Sequence, residues 1–348
     1  MLEYIKCNIY SIVLHAIGNK NEDEGIIFSK RKLLIEKPET RVALLQYFLL
    51  SFKTNVFYNF FHETDLCLNE VYTYIKKIFE NPEELYGQSI ALAKHLYEQS
   101  THPKIKRGEF YTVYFKDCIL DGMVLDAVGL FKSENKDIFL KVNSSKEGFD
   151  VDSEKGININ KLDKGCLIFN TQQEKGFIIC IVDSMNKGIE TKYWVEDFLH
   201  IRQQKDSFYN TENVLAMCKK FVTQKLSQQY TLSKVEQSAL LNRSLKNLEG
   251  QKEVELNDYI KNVFVKPEFI DQFNEYKKLY KEESDVDISN SFIVSHSAIK
   301  KQGKNFKKAI KLDKNFDIYI HGDEKYIQKG VDEETGLHYY KFLFREEN

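Results

Sequence analysis

The order of apolar and polar residues predicts that the chain begins with two strands and continues with three helices. Two short runs of β-branched and apolar residues, separated by an acidic and turn-rich loop, are typical of strands. Farther along, apolar residues recur three and four positions apart, and Asn81 followed by Pro82 is typical of a helix start. The predicted strands cover 5–17 and 26–28, and the predicted helices cover 42–52, 68–79 and 82–97.

The middle of the chain has the pattern of an antiparallel sheet. Aromatic and β-branched residues dominate 110–115, and Asp121-Gly122 is a tight-turn signal before the apolar segment 123–131, so these segments predict a β-hairpin. Further strand candidates, separated by turns too short for helical crossovers, are 138–142, 166–169 and 177–182. We therefore expect a central antiparallel sheet of about five strands.

The last third of the chain returns to helical spacing and then to strands. A helical block is predicted over about 208–283, where Ser233 and Glu236 form a capping box. Alternating residues around a turn at 313–315 predict a β-hairpin, and a final strand is expected over 338–344.

Taken together, these elements predict an α+β fold, with N-terminal helices and a central antiparallel sheet followed by a helical block and a C-terminal β-hairpin. We expect an α+β domain over 1–205 and a helical block with a basic C-terminal β-hairpin over 206–348. No linker rich in Pro, Gly or Ser marks this boundary, so the two parts could also pack as one body.

Composition indicates an ordinary globular protein. The 348 residues are 42% hydrophobic and 29% charged, which fits neither a membrane protein nor a disordered chain. No apolar run approaches the roughly 20 residues of a membrane span, and the first residues lack the features of a secretory signal. We therefore expect a cytoplasmic protein without membrane contact. Six scattered cysteines contain no C-x-x-C pair, so reduced, buried thiols are expected.

Familiar enzyme motifs are missing from the sequence. It contains no phosphate-binding P-loop, no G-x-G-x-x-G turn, no H-E-x-x-H helix and no G-x-S-x-G elbow. The eight histidines never occur two or four positions apart, so we expect no local metal site.

Two local features allow a chemical interpretation and a structural one. Asp126 and Glu134 could bind Mg²⁺ in a metal-dependent nuclease while Lys136 stabilises an attacking water, or the last two could simply belong to a polar loop. Trp194, the single tryptophan, could stack on a nucleic-acid base or anchor the core.

Charge is distributed unevenly along the chain, although its formal net charge is only −2. Residues 251–290 carry a net charge of −4, whereas 300–314 carry seven lysines and one acidic residue, a net charge of +6. Such a patch can neutralise DNA phosphates, or it can be a solvated face or a partner of the acidic helices. The candidate DNA-binding residues are Lys300, Lys301, Lys304, Lys307, Lys308, Lys311 and Lys314, with Lys104, Lys106 and Arg107 as secondary candidates.

An ordered set of segments resembles the family of nucleoid-associated bacterial proteins of the NdpA/YejK type, in its Bacteroidetes form. The resemblance covers nearly the whole chain. The segments that carry it are Ser100–Lys106, Gly129–Glu134, Gly156–Phe169, Tyr193-Trp194, Lys311–Phe316 and Ile320-His321-Gly322.

The resemblance implies a cytoplasmic protein at the nucleoid that binds double-stranded DNA with little sequence preference, without a cofactor and without enzymatic activity. It assigns no DNA-contacting residues, so the lysines named above are inferred from charge alone. We also expect a homodimer, because two joined basic patches gain avidity. The alternatives are a protein-interaction module that other nucleoid proteins recruit and, more remotely, the metal-dependent nuclease.

Overall fold

A computed structural model describes residues 7–52, 56–146, 148–183, 193–230, 232–284, 286–306, 310–313, 315–318 and 326–346. Contacts within the chain divide it into two compact units, Met1–Gln204 and Lys205–Asn348. The fold is α+β, as predicted from the sequence. None of the helices in the described ranges is long and apolar enough to cross a membrane.

The first unit is built on an eight-stranded sheet in which every pairing is antiparallel. The eight strands are β1 (Asn8–Ile17), β2 (Ile26–Ile27), β3 (Tyr58–Phe60), β4 (Gly108–Leu120), β5 (Met123–Ser133), β8 (Lys164–Phe169), β9 (Ile178–Asp183) and β10 (Ile201–Gln203). The order across the sheet is β10-β3-β9-β8-β5-β4-β1-β2.

The predicted hairpin at the centre of this sheet is confirmed. β4 and β5 pair from Leu120 opposite Met123, and the turn between them is Asp121-Gly122. Both turn residues have positive φ, 47° and 81°, which a two-residue turn matching the strand twist requires. Glycine adopts this backbone without strain, so the sequence pair fixes the register of the hairpin.

Helices cover both faces of the sheet. One face packs on α2 (Glu70–Glu80), on α3 (Leu85–Gln99) and on a π-helical turn at Tyr193–Phe198. The other face packs on α1 (Pro38–Leu49), whose Phe48 ring stacks on Phe131 of β5 at 4.3 Å between ring centres. Since the central strands are buried on both faces, they are apolar at nearly every position rather than at alternate ones.

The helix signals in the sequence correspond to real caps. Asn81 accepts a hydrogen bond from the backbone N–H of Glu83, although it caps a 3-10 turn at Pro82–Glu84 that precedes α3. The capping box is also confirmed, since the Ser233 and Glu236 side chains each accept from the other's backbone N–H. These bonds satisfy N–H groups that a helix start leaves without partners.

Helices dominate the second unit and enclose one apolar core. The helices are α4 (Ser207–Lys220), α5 (Ser227–Tyr230), α6 (Lys234–Lys246), α7 (Leu256–Val263), α8 (Pro267–Ser284) and α9 (His296–Phe306). A π-helical segment at Phe221–Leu226 joins α4 to α5. A short ribbon pairs β11 (Glu253–Glu255), which precedes α7, with β12 (Ser291–Ile293), which precedes α9.

The chain ends in two β-hairpins. The predicted one is confirmed as β13 (Ile310–Leu312) paired with β14 (Phe316–Ile318). The predicted final strand is also present, as β16 (His338–Phe342), and it pairs with β15 (Ile327–Val331). The sequence did not predict β15, because Gln328, Lys329 and Gly330 interrupt its alternation.

Three expectations about the first unit are wrong. The central sheet has eight strands rather than about five, because the N-terminal strands β1 and β2 and the short strands β3 and β10 join it. The segment 138–142 does not join the central sheet: it belongs to β6 (Asp137–Ser145), which, among the residues that the structure describes, pairs only with β7 (Gly148–Gly156) in a separate two-stranded hairpin. Cys67 is exposed rather than buried, because it lies in a surface 3-10 turn before α2, whereas the other five cysteines are buried thiols.

Candidate nucleic-acid interface

The basic segment that the sequence singled out begins on α9. Ala298, Ile299 and Phe306 are buried and turn one side of this helix toward the core of its unit. His296, Lys300 and Lys304 follow one another at intervals of four residues and are exposed on the opposite side. The helix therefore presents a basic face to solvent, and this set of His296, Lys300 and Lys304 is called the α9 face below.

The lysines of α9 differ in what surrounds them. Lys301 pairs with Glu212 of α4, with 2.7 Å between Nζ and Oε1, and its ammonium lies 5.3 Å from the centre of the Phe208 ring. Lys300 and Lys304 have no ion-pair partner among the described residues. Only these two lysines of the helix therefore keep their full charge available to an external anion.

The remaining candidates of this segment follow α9 in the chain. Lys311 lies in β13, where its backbone is opposite Asp317 of β14. Lys307, Lys308 and Lys314 lie outside the described residues.

The secondary candidates Lys104, Lys106 and Arg107 are exposed on the loop between α3 and β4, in the other unit. The Asn19 side chain donates hydrogen bonds to the backbone oxygens of His102 and Ile105, at 2.8 and 2.9 Å, and so holds this loop in place. Asn19 is buried, which makes the loop a fixed part of the unit surface.

Two of these secondary candidates line a cavity of about 450 Å³. Lys106 donates to Asn135 Oδ1 at 2.8 Å, and Lys136 pairs with Glu109 at 2.6 Å. Four basic and two acidic side chains surround the cavity, so its electrostatic balance favours an anion. The lining residues are Ala16, Lys106, Arg107, Gly108, Glu109, Glu134, Asn135, Lys136 and Lys155.

A buried ionic cluster lies beside the cavity, at one end of β5, β8 and β9. Lys132 and Lys164 are directly opposite each other across β5 and β8, and both are buried. Glu134 lies 2.9 Å from the Lys132 ammonium, and Asp183 lies 3.1 Å from that of Lys164. Each buried cation thus has its own carboxylate, which compensates for the loss of its hydration.

Tyr193 connects the two halves of this cluster. Its hydroxyl donates to Glu134 at 2.8 Å, and both lysine ammoniums lie over its ring, at 5.6 Å for Lys132 and 5.1 Å for Lys164. Burial, followed by the charge of Glu134, holds the pKa of the Tyr193 phenol well above its usual range. Burial also lowers the pKa of Lys132, although Glu134 opposes this shift. The tyrosine therefore remains a neutral hydrogen-bond donor.

The residues of the nuclease hypothesis do not converge. Glu134 is bound by Lys132 and Tyr193, and Lys136 by Glu109, while Asp126 accepts from the Tyr114 hydroxyl at 2.8 Å. Asp126 lies in β5, eight residues before Glu134, which directly follows that strand; eight extended residues span about 26 Å. In the part of the chain that is described, no group of three His, Cys, Asp or Glu side chains is placed to hold a metal ion.

Trp194 belongs to the core, as its structural interpretation predicted. Its side chain is fully buried in the cluster that joins α2 and α3 to the sheet, and its ring lies 5.0 Å from that of Phe198. It therefore offers no surface on which a base could stack.

These features define an α+β protein with a basic surface in each of its two units. Comparison with known protein families identifies the family of such a protein. A model of the family described as NA37, nucleoid-associated protein YejK, matches residues 13–335. The chain belongs to this family, so its resemblance to the NdpA/YejK family is confirmed and its role is nucleoid-associated. Comparison with curated proteins gave no match.

Proposed function

We propose that the protein resides in the cytoplasm, at the nucleoid, and binds double-stranded DNA with little sequence specificity through the α9 face. The observation that carries this proposal is the pair Lys300 and Lys304, which are exposed one helical turn apart without an ion-pair partner among the described residues. An ammonium that its own protein does not neutralise can displace a counterion from a DNA phosphate, which favours binding at low salt.

The side chains involved favour phosphate contacts over base contacts. Lysine is a flexible point charge that suits a phosphate, whereas the planar guanidinium of arginine is the usual reader of guanine edges. The chain has only six arginines among its 50 basic residues, and none lies between Arg243 and Arg345. Lys307, Lys308, Lys311 and Lys314 extend the positive charge along the chain beyond α9.

A second DNA contact is proposed at the basic cavity of the first unit. Arg107 and Lys155 have no ion-pair partner in the described ranges, whereas Lys106 and Lys136 are held by Asn135 and Glu109. The two unpaired cations are the groups that a phosphate would meet there.

The proposal is tested by titrating a fluorescent random-sequence duplex with the whole protein over a series of salt concentrations. Each phosphate neutralised contributes about 0.9 log units of affinity per log unit of salt, so Lys300→Gln with Lys304→Gln should shallow the slope by up to about 1.8. The loss should be equal on duplexes of different sequence, because phosphates carry no sequence information.

The control changes Lys261 and Lys278 to Gln, since both are exposed lysines of the same unit, on α7 and α8. The control should keep the wild-type slope. If the α9 variant also keeps it while remaining folded, this helix is not the DNA surface. If the wild type binds no duplex at any salt, the recruited interaction module replaces the proposal. Nicking of plasmid with Mg²⁺ would instead favour the nuclease.

A further inference from the structure

The β6–β7 hairpin has an apolar face that nothing in the described part of the chain covers. Its two strands have nine residues each and pair only with each other, from Asp137 opposite Gly156 to Ser145 opposite Gly148. Five of its apolar side chains are 62–78% exposed. They are Ile138, Leu140, Val142, Phe149 and Val151.

The pairing register places all five side chains on one face. Val142 is opposite Val151, and Phe149 is opposite Ser144, which lies two residues after Val142 on the same side of β6. Ile138 and Leu140 continue this face along β6 at alternate positions. The apolar residues therefore form one continuous strip rather than isolated surface contacts.

The other face of the hairpin is acidic apart from Phe139, which lies opposite Glu154. Asp150, Asp152 and Glu154 alternate along β7, and Lys141 of β6 pairs with Glu154 at 3.3 Å. A two-stranded hairpin with one apolar and one charged face is marginally stable alone in water, so an occupant of the apolar face would stabilise it. The alternation of apolar and charged residues along both strands is typical of strands whose apolar face packs against another element.

We propose that the occupant is the hairpin of a second copy of this chain, packed face to face about a two-fold axis. From the exposed fractions, the five side chains offer roughly 700 Å² of apolar surface per copy, close to the ~800 Å² per partner of stable interfaces. The centre of this face carries no charged side chain, since its one charge among the paired residues, Lys155, lies at the end opposite Ile138, and a copy of the strip can meet it there without burying that charge.

The negative charge of the hairpin argues against DNA or an anionic lipid surface as the occupant of the strip. The hairpin segment 137–156 carries five acidic and three basic residues, a net charge of −2. DNA phosphates and anionic lipid headgroups would be repelled by the row of Asp150, Asp152 and Glu154. Face-to-face packing of two hairpins turns both acidic faces to solvent, where they remain hydrated.

This dimer can form without DNA, because the five residues of the strip line neither basic surface. Lys155, opposite Ile138 on the same face, lines the basic cavity, so the dimer could affect the contact proposed there. Its effect on the α9 face would be indirect: two α9 faces joined in one particle bind a duplex with avidity or bridge two duplexes. A test of assembly without DNA therefore separates the two proposals.

The test measures the mass of the full chain by sedimentation at micromolar concentration. We expect the wild type at twice the mass of one chain, and Leu140→Asp with Val151→Asp at the mass of a single chain. Dimer affinity should fall by about 100-fold or more, because each aspartate would be buried without a partner. Asn143→Asp adds a charge on the opposite face and should leave the dimer intact.

A cross-linking experiment tests the same dimer even if the double variant fails to fold. In a Cys67→Ser background, which removes the exposed native thiol, Leu140→Cys should form an intermolecular disulfide under mild oxidation. Asn143→Cys, on the polar face, should not. A monomeric wild type, a folded double variant that remains dimeric, or equal cross-linking at both positions would each overturn the proposal.

Discussion

Lys301 of α9 lies 2.7 Å from Glu212 of α4, and this ion pair distinguishes it from the lysines on either side of it. The helix thus carries one lysine committed to its own unit and two that face solvent without a described partner. Sequence charge alone gives all three the same weight, whereas the structure separates them.

We expect Lys301→Gln to weaken binding to duplex DNA less than Lys304→Gln does, because its charge is already partly neutralised. Conversely, Glu212→Gln should release the Lys301 ammonium, tighten DNA binding at low salt and steepen the salt slope by up to about 0.9. Anisotropy titrations at several salt concentrations measure all three. Weaker binding by the Glu212→Gln protein would contradict this assignment.

The basic cavity gives a second prediction about DNA. Arg107→Gln together with Lys155→Gln should reduce the salt slope by up to about 1.8 and weaken binding on every duplex alike, if each cation meets one phosphate. Lys94→Gln, an exposed lysine of α3 in the same unit, serves as the control and should have no effect. A slope that is equal in all these proteins would remove the cavity from the DNA surface.

The buried ionic cluster predicts a non-additive pair of substitutions. Lys132→Met leaves the Glu134 carboxylate without its cation, and Glu134→Leu leaves the buried ammonium of Lys132 without its carboxylate. Each change should lower the unfolding free energy by about 3–5 kcal/mol, while the double variant should lose less than the sum of both. Urea denaturation of the four proteins completes the cycle. Strict additivity would show that the two side chains are not coupled.

His15 predicts how stability depends on pH. It is buried in β1, where its Nδ1 accepts from the Ser29 N–H at 3.1 Å and its Nε2 lies 3.0 Å from the Ser89 hydroxyl. This arrangement suits the neutral ring, and burial lowers the pKa of His15 to about 4. The unfolded chain, with an ordinary histidine, therefore binds more protons at any pH between these two pKa values.

Stability should consequently fall as the pH drops from about 6.5 to 4, by about 3 kcal/mol in total from this residue. In His15→Gln the amide keeps a donor and an acceptor but does not titrate. Its unfolding free energy should therefore approach or pass that of the wild type as the medium becomes acidic. A constant difference between the two proteins from pH 7 to 4 would contradict the assignment.

Much of the fold could be predicted because its signals are local. Asp121-Gly122 fixes a turn by the backbone it permits, and Ser233 with Glu236 fixes a helix start by reciprocal hydrogen bonds. β3 and β10 escaped prediction because three residues are too few to show a period. The apolar residues of β6 correctly predicted a strand. Alternation, however, shows only that one face of a strand is apolar, and it does not show whether the same chain covers that face.

The site could be predicted only in part. The lysines of α9 were visible as a run of charge, but the pairing of Lys301 with Glu212 joins residues that are 89 positions apart. Lys155 and Arg107 are far apart in the sequence and line the same cavity only because the chain folds, so the sequence could not show that they are neighbours. Lys132 lies one residue before the end of the apolar strand β5, and Lys164 is the first residue of β8. The sequence could have suggested a buried charge at these positions, but it could not have identified the carboxylate that pairs with each lysine.

The eight-stranded sheet ends in β2, with two residues, and in β10, with three. Separate protein molecules aggregate into extended sheets by adding strands to the unpaired backbone groups of such outer strands. Here the longest strands, β4 and β5, lie between neighbours, and β1, which β2 pairs only at Ala16 and Ile17, has the carbonyl oxygens of Ile9 and Ile12 bound by the Arg41 side chain and the Leu33 N–H. The sheet is thereby protected against uncontrolled growth into fibres, and the chain can carry many consecutive β-branched and aromatic residues without becoming prone to precipitation.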